Sequence, residues 1–159
     1  MKRVSGGVPY MENKFLHHFT KALIEFMIIS GILVCAFVPF LVFKAAAYYP
    51  FINSIALQII AVLIVSGITS LYILWEIRRI FKTIVNTNPF TIENVSVLRR
   101  IALASFVIAV TYIAKCIFWF TLATAIIIII FAIAGLFCLV LADVFKQAVL
   151  YKEENDLTV

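Results

Sequence analysis

The sequence predicts an all-α integral membrane protein, with four transmembrane helices in a bundle and a polar helical hairpin between helices 2 and 3. Two observations predict this fold. Apolar residues make up 65% of the 159-residue chain and charged residues only 13%, whereas soluble domains are about 45–50% apolar and about 25% charged. The charged residues also border long uncharged runs, which as helices can cross a hydrocarbon core of roughly 30 Å. The whole chain, residues 1–159, is therefore expected to form a single membrane domain.

The first span is predicted at residues 22–43, and Lys21 and Glu25 are expected to pair at its start because they lie one helical turn apart. A cleaved signal peptide is the alternative, since a basic segment and an apolar run precede the three alanines at residues 45–47. The apolar run is longer than the about 7–15 residues that are usual in signal peptides. This length favours an uncleaved anchor.

The second span is predicted at residues 54–75, after a short loop at residues 44–53. Apolar residues recur at helical spacing beyond Trp75, while the basic side chains face elsewhere. The second helix is therefore expected to continue past the membrane to about Val85.

A polar turn follows this helix, and two residues compete to cap the next one. Asn88 comes directly before Pro89, which fits an N-cap followed by proline at the first helical position. Thr91 is the alternative N-cap, and Glu93 then lies in the first turn, where the helix dipole favours a negative charge. Either start leads into the third span and completes the hairpin, residues 76–100.

The third apolar run, residues 101–142, contains a single charge, at Lys115. As one helix its 42 residues would be about 63 Å long, twice the hydrocarbon thickness. The run must therefore fold back, and the turn is expected within residues 115–121. The third and fourth spans are then residues 101–118 and 122–142, and residues 143–159 form a polar tail.

The distribution of basic residues predicts the orientation. All but two of the 13 Lys and Arg residues lie at one end of the predicted spans; the exceptions are Lys44 and Lys115. By the positive-inside rule, both termini, the hairpin and the tail are expected to be cytoplasmic. The same rule explains the net charge of +5, so direct binding of nucleic acid is not expected.

The cytoplasmic segments are expected to pack against one another and to form a contact surface. Apolar residues of the hairpin would meet those of the tail, and the basic residues would approach the acidic ones, in weak exposed pairs. The apolar set is Ile80, Phe81, Ile84, Val95, Leu98, Phe145 and Val149, and the charged set is Arg78, Arg99, Arg100, Asp143, Glu153, Glu154 and Asp156.

Two segments carry a resemblance to a known family: NPFTIENVSVLRRIA at residues 88–102 and LADVFKQAVLYKEENDLTV at residues 141–159. The chain resembles, from about Phe26 to its end, the bacterial membrane proteins of domain-of-unknown-function family 2975. The most specific parts are residues 88–90, 93–94, 98–101 and 154–157. The resemblance implies a four-helix protein of the bacterial inner membrane, whose gene often neighbours one for a small helix-turn-helix transcriptional regulator. It implies a regulatory partnership and no particular reaction.

The chain offers little chemistry beyond this. His17 and His18 are adjacent, so on a helix they point about 100° apart and make a poor metal site. No phosphate loop or nucleophile motif occurs. We therefore expect no enzyme, cofactor or metal. Most polar residues inside the spans are expected to let helices pack closely, although Thr69, Ser70 and Tyr72 are compatible with a small polar pocket.

The leading hypothesis is a regulatory or docking protein that binds a cytoplasmic partner; the bilayer is its other partner, and a homo-oligomer is compatible with the sequence. The alternative is a small transporter, channel or peptide-immunity protein, which needs a polar path between the helices. The docking candidates are Arg78, Arg79, Asn88, Pro89, Phe90, Glu93, Asn94, Arg99, Arg100, Asp143, Glu154 and Asp156.

Overall fold

The structure is a computed structural model that describes residues 14–86 and 91–156, and these residues form four α-helices. Each helix contains a stretch that is long and apolar enough to cross a membrane. The predictions of an all-helical fold and of a multi-pass membrane protein are therefore confirmed. The helices are α1 (Lys14–Tyr48), α2 (Pro50–Asn86), α3 (Ile92–Phe118) and α4 (Leu122–Asp156).

The predicted loop at residues 44–53 is wrong, because the connection between α1 and α2 is much shorter. Helix α1 continues to Tyr48, α2 begins at Pro50, and only Tyr49 separates them. Alanine is the strongest helix former, so residues 45–47 extend α1. Proline is well suited to the first position of a helix, where its missing N–H is not needed. The backbone N–H of Tyr49 still donates to the carbonyl of Ala45, at 3.0 Å.

The start of α3 decides between the two predicted caps. Thr91 has extended backbone angles, φ −130° and ψ 149°, and its side chain accepts a hydrogen bond from the backbone N–H of Asn94 at 3.4 Å. Thr91 is therefore the N-cap, with Glu93 in the first turn as expected. The competing pair, Asn88 and Pro89, lies outside the described residues.

The break between α3 and α4 lies within residues 115–121, where the turn was predicted. Helix α3 ends at Phe118 and α4 begins at Leu122. Trp119 is extended, with φ −156° and ψ 108°, and its N–H donates to the carbonyl of Lys115 at 3.0 Å. This last bond closes α3 before the chain reverses.

The four described helices form an open arrangement, in which each helix packs against its neighbours in the chain. Within the described ranges, Cα atoms approach to 8 Å or less only between α1 and α2, α2 and α3, and α3 and α4. A closed four-helix ring would also join α1 to α4. Lipid tails are as apolar as leucine side chains, so no hydrophobic force draws the two outer helices together.

Small residues let neighbouring helices approach closely, as predicted. A Cβ atom on Gly67 of α2 would lie 2.5 Å from Sγ of Cys35 on α1, and one on Gly135 of α4 would lie 2.9 Å from the ring of Phe106 on α3. The hydroxyl of Ser105, which is buried, donates to the carbonyl of Ile101 in its own helix at 2.9 Å. Such residues allow close packing without leaving a polar group unsatisfied.

Candidate functional site

Four ion pairs lie at one end of the helices and join each helix to the next. We call their eight residues the ion-pair belt. Arginines supply every cation, and the four carboxylates come from all four helices, so the belt crosses the whole width of the protein. The pairs are Arg78–Glu25 (α2 to α1, 3.0 Å), Arg79–Glu93 (α2 to α3, 2.8 Å), Arg100–Glu76 (α3 to α2, 2.9 Å) and Arg99–Asp143 (α3 to α4, 3.4 Å).

The belt differs from the charge pairing expected from the sequence. Arg99 does pair with Asp143, as expected. Glu25, however, bonds Arg78 on the next helix instead of Lys21 on its own, and Arg100 bonds Glu76 instead of an acid of the tail. Because α1 and α2 run in opposite directions, the start of α1 lies beside the end of α2, which brings Glu25 to Arg78.

Three of the four pairs are largely exposed, and the fourth contains a buried carboxylate. The side chains of the three exposed pairs are between 41% and 69% accessible. Exposed pairs contribute about 0–1 kcal/mol each. Glu76, by contrast, is only 4% exposed. A buried charge is tolerated only when partners compensate for its lost hydration, so Glu76 is the energetically important member of the belt.

Glu76 receives its partners from two helices. The hydroxyl of Tyr72, one turn earlier on α2, donates to Oε1 at 2.9 Å. Nε of Arg100 lies 2.9 Å from the same oxygen, although its N–H is poorly aligned with it, and Nη2 donates to Oε2 at 3.5 Å. The three side chains form the Glu76 cluster. Tyr72 therefore contributes to this cluster and not to a pocket with Thr69, whose hydroxyl donates to the carbonyl of Val65 at 2.7 Å.

Sequence reasoning missed the Glu76 cluster. Tyr72 and Glu76 lie four residues apart and so share one helix face. An Arg-Arg pair at residues 99–100 follows at the start of the next predicted span. This combination was the available signal, but spacing within α2 does not show which of its faces α3 covers.

An apolar core lies beside the belt and contains residues of α2, α3 and α4. Ile80 of α2 and Phe145 of α4 contact this core, whereas the cytoplasmic hairpin at residues 76–100 stays a prediction. The side chain of Ile84 lies outside the described part of the chain. The core consists of Val95, Leu98 and Ala142, with Ile80, Leu141 and Phe145 packed against it.

The other predicted docking residues differ in how far they are buried. Asn94 is only 1% exposed, so it belongs to the packed interior and not to an exposed surface. Glu154 is exposed near the end of α4. Asn88, Pro89 and Phe90 lie outside the described residues, as does the side chain of Asp156.

Exposed apolar side chains on α4 were not predicted as part of the site. Val144, Leu150 and Tyr151 are 53%, 49% and 68% exposed, and we call them the α4 surface. They lie beyond Asp143, among exposed charged residues at positions 146, 152 and 153. Among the residues whose positions are described, no group of three or more His, Cys, Asp or Glu side chains could hold a metal ion.

Comparison with known protein families gives a match to the chain. The family described as a protein of unknown function, DUF2975, matches residues 40–159. The chain belongs to this family. The match covers α2, α3 and α4 with every residue of the belt except Glu25, which lies earlier in α1. Neither the comparison with curated proteins nor that with solved structures gives a match.

Proposed function

We propose that this DUF2975 protein is a non-enzymatic protein of the bacterial cytoplasmic membrane that binds a soluble regulatory partner at its belt end. The expected partner is a helix-turn-helix transcriptional regulator. The observation that supports the proposal is the exposed apolar surface on α4, which lies among exposed charged side chains at this end. We expect this surface to lie outside the hydrocarbon core.

The length of α4 supports this position of the α4 surface outside the hydrocarbon. Residues 122–142 would be about 31 Å long as a helix, which matches a bilayer core of roughly 30 Å. The remaining 14 residues of α4, 143–156, add about 21 Å. They include several charged side chains, which are costly in hydrocarbon. This part of α4 therefore has its apolar side chains in a polar environment.

The packing beside the belt gives this extension a fixed position. Phe145 contacts the apolar core, and Val149 is 7% exposed. One face of the extension is thus held by the protein, while Val144 and Tyr151, seven residues apart, share another face. A fixed helix that exposes an apolar face flanked by charges is a common docking surface for a partner protein.

The orientation rests on the positive-inside rule, since nearly all Lys and Arg residues lie at the belt end. Labelling of single cysteines in a cysteine-free variant tests it. Ser96→Cys should be protected from a membrane-impermeant maleimide added to whole cells, and Tyr49→Cys should be labelled. Labelling of Ser96→Cys and protection of Tyr49→Cys would place the belt end outside and exclude a cytoplasmic partner.

Site-specific crosslinking tests the docking role. A photoreactive phenylalanine analogue at position 151 should crosslink a soluble protein in cells, and mass spectrometry identifies it. Val144→Glu should reduce the yield of this product several-fold, because the added charge opposes an apolar contact. Ser96→Glu adds the same charge to exposed α3 and serves as the matched control.

Two outcomes of the crosslinking experiment would contradict the docking proposal. Crosslinks from position 151 to lipid or to other copies of this chain, without a soluble protein, would overturn the docking proposal. A product whose yield is the same in Val144→Glu and in wild type would place the partner elsewhere. Deletion of residues 153–159 then shows whether the tail contributes, and it should leave membrane insertion intact.

The alternative, a transporter or channel, needs polar groups that face a path across the membrane. Several serine and threonine hydroxyls inside the spans donate instead to the backbone of their own helix. Ser66 donates to the carbonyl of Val62 at 2.8 Å, and Thr111 donates to that of Val107 at 2.8 Å. These bonds favour a packing role for the hydroxyls, so the docking proposal has the better support.

A further inference from the structure

A cavity of about 210 Å³ lies between α2 and α3, at the end opposite to the ion-pair belt. Its walls are almost wholly apolar, and it is open on one side. Residues 55–62 of α2 form one wall, and residues 114–119 at the end of α3 form the other. The lining side chains include Ile55, Gln58, Ile59, Val62, Phe118, Trp119 and Lys115, and the surface that they present to the cavity is almost wholly apolar.

Water is a poor occupant for this cavity. A buried water needs two to four polar partners, and the walls offer it almost none. Both flanking helices are membrane spans, so the open side meets lipid. A groove of this kind is filled most favourably by a flexible hydrocarbon chain from the bilayer.

Lys115, which lines this groove, carries its charge beside Trp119 and bonds a residue of α4. Nζ of Lys115 donates to Oγ1 of Thr124 at 2.7 Å and lies 5.6 Å from the centre of the Trp119 ring. An ammonium group has three protons to donate, and Thr124 accepts one. In the part of the chain that the structure describes, the ion pairs all lie at the opposite end, and none includes Lys115.

The position of Lys115 sets the depth of the cavity in the membrane. Lysine near the end of a span extends its charged group to the interface while its methylenes stay in apolar surroundings. Tryptophan is enriched at the same depth. The cavity therefore begins where lipid headgroups meet their acyl chains, with its positive charge at the headgroup level.

From this geometry we infer that the α2–α3 cavity is a binding site for an anionic phospholipid. One acyl chain fills the apolar groove, and the phosphate of the headgroup binds the Lys115 ammonium group. A zwitterionic lipid fills the same groove but carries no net negative charge to complement the lysine. The site therefore selects by charge at its mouth and holds the ligand by apolar contact inside. This inference does not depend on the proposed docking function.

The experiment is native mass spectrometry of the full chain, released from nanodiscs that contain equal amounts of phosphatidylglycerol and phosphatidylethanolamine. One Lys near a membrane surface attracts anionic lipid by about 1 kcal/mol, which corresponds to a preference of about fivefold. The wild-type protein should retain phosphatidylglycerol in about that excess. Equal retention of the two lipids would overturn the proposal.

Three variants separate the contributions. Lys115→Met keeps an apolar side chain of similar length and should abolish the preference. Lys44→Met removes the other basic residue of this end, which does not line the cavity, and should leave the preference unchanged. Ala61→Phe should fill the groove, because Ala61 lines it, and should reduce the retention of both lipids.

Each variant also offers a result against the proposal. A fivefold preference that persists in Lys115→Met, or that disappears equally in Lys44→Met, would show a general charge effect. Undiminished lipid retention in Ala61→Phe would place the lipid outside the cavity. If Lys115→Met does not fold, Lys115→Gln tests the charge in its place, because the amide can still donate to Thr124 while the positive charge is lost.

Discussion

The two ends of the helices are held together in different ways. At the belt end, ion pairs join each helix to its neighbour, and an apolar core lies beside them. At the Lys115 end, the chain reverses at Tyr49 and again at residues 119–121, and a cavity separates α2 from α3. Covalent turns thus hold the helix pairs at one end, and side chains hold all four helices at the other.

This difference shows where the relative position of the helices is determined. A turn of one to three residues holds two helix ends together by its backbone, so the position of these ends depends less on side-chain contacts. The second and third helices, by contrast, are joined at the belt end through residues outside the described ranges. Their described contact there includes the Glu76 cluster, which needs a particular rotation of both helices. The belt end should therefore be the more sensitive of the two to substitution.

The largest effect is expected at Glu76. Glu76→Ala leaves the Arg100 guanidinium without its carboxylate and the Tyr72 hydroxyl without its acceptor. Loss of one partner of a buried pair costs about 3–5 kcal/mol, and the partial exposure of Arg100 reduces the expected loss of unfolding free energy to about 2–4 kcal/mol. Titration with sodium dodecyl sulphate, followed by circular dichroism, measures this change.

Glu93→Ala is the matched control, since it removes a carboxylate from an exposed pair between the same two helices. It should cost about 0–1 kcal/mol. Glu76→Gln should fall between the two, because the amide oxygen still accepts from Tyr72 while the charge is lost. Equal costs for Glu76→Ala and Glu93→Ala would remove the distinction between the buried and the exposed parts of the belt.

A smaller effect is expected at the Lys115 end, in Thr124. This residue is only 1% exposed, and its hydroxyl bonds both Lys115 and the hydroxyl of Thr121. Thr124→Val keeps the shape, removes the acceptor for the ammonium group, and should cost about 1–2 kcal/mol. The same detergent titration measures it, with Thr111→Val as the control. If Thr124→Val lowered the unfolding free energy more than Glu76→Ala does, the Lys115 end would be the more sensitive of the two ends.

The smallest effect is expected for Arg99 and Asp143, whose side chains are 51% and 69% exposed. Exchanging them, in the double variant Arg99→Asp with Asp143→Arg, should change the unfolding free energy by less than about 1 kcal/mol. Each single variant should be slightly less stable than the exchanged pair, because like charges then face one another. Coupling of several kcal/mol in this double-mutant cycle would contradict the weak role assigned to exposed pairs.

The sequence predicts the elements of this protein well because their signals are local. Hydropathy over about 20 residues identifies each span. The 42-residue apolar run requires a reversal near Lys115, and helix spacing carries α2 past Trp75. Even the capping of α3 was limited to two candidates, one of which was Thr91. Each of these inferences depends on residues that are neighbours in the chain.

The tertiary structure decided which residues meet across helices. Glu25 and Lys21 are four residues apart, yet Glu25 bonds Arg78, 53 residues away. Glu76 became a buried centre, Asn94 became part of the interior, and α1 and α4 stayed apart. In a membrane, an apolar face packs against lipid as readily as against another helix. The helix order and rotation therefore depend on the few polar and small residues that match across helices, and that match is not visible along the chain.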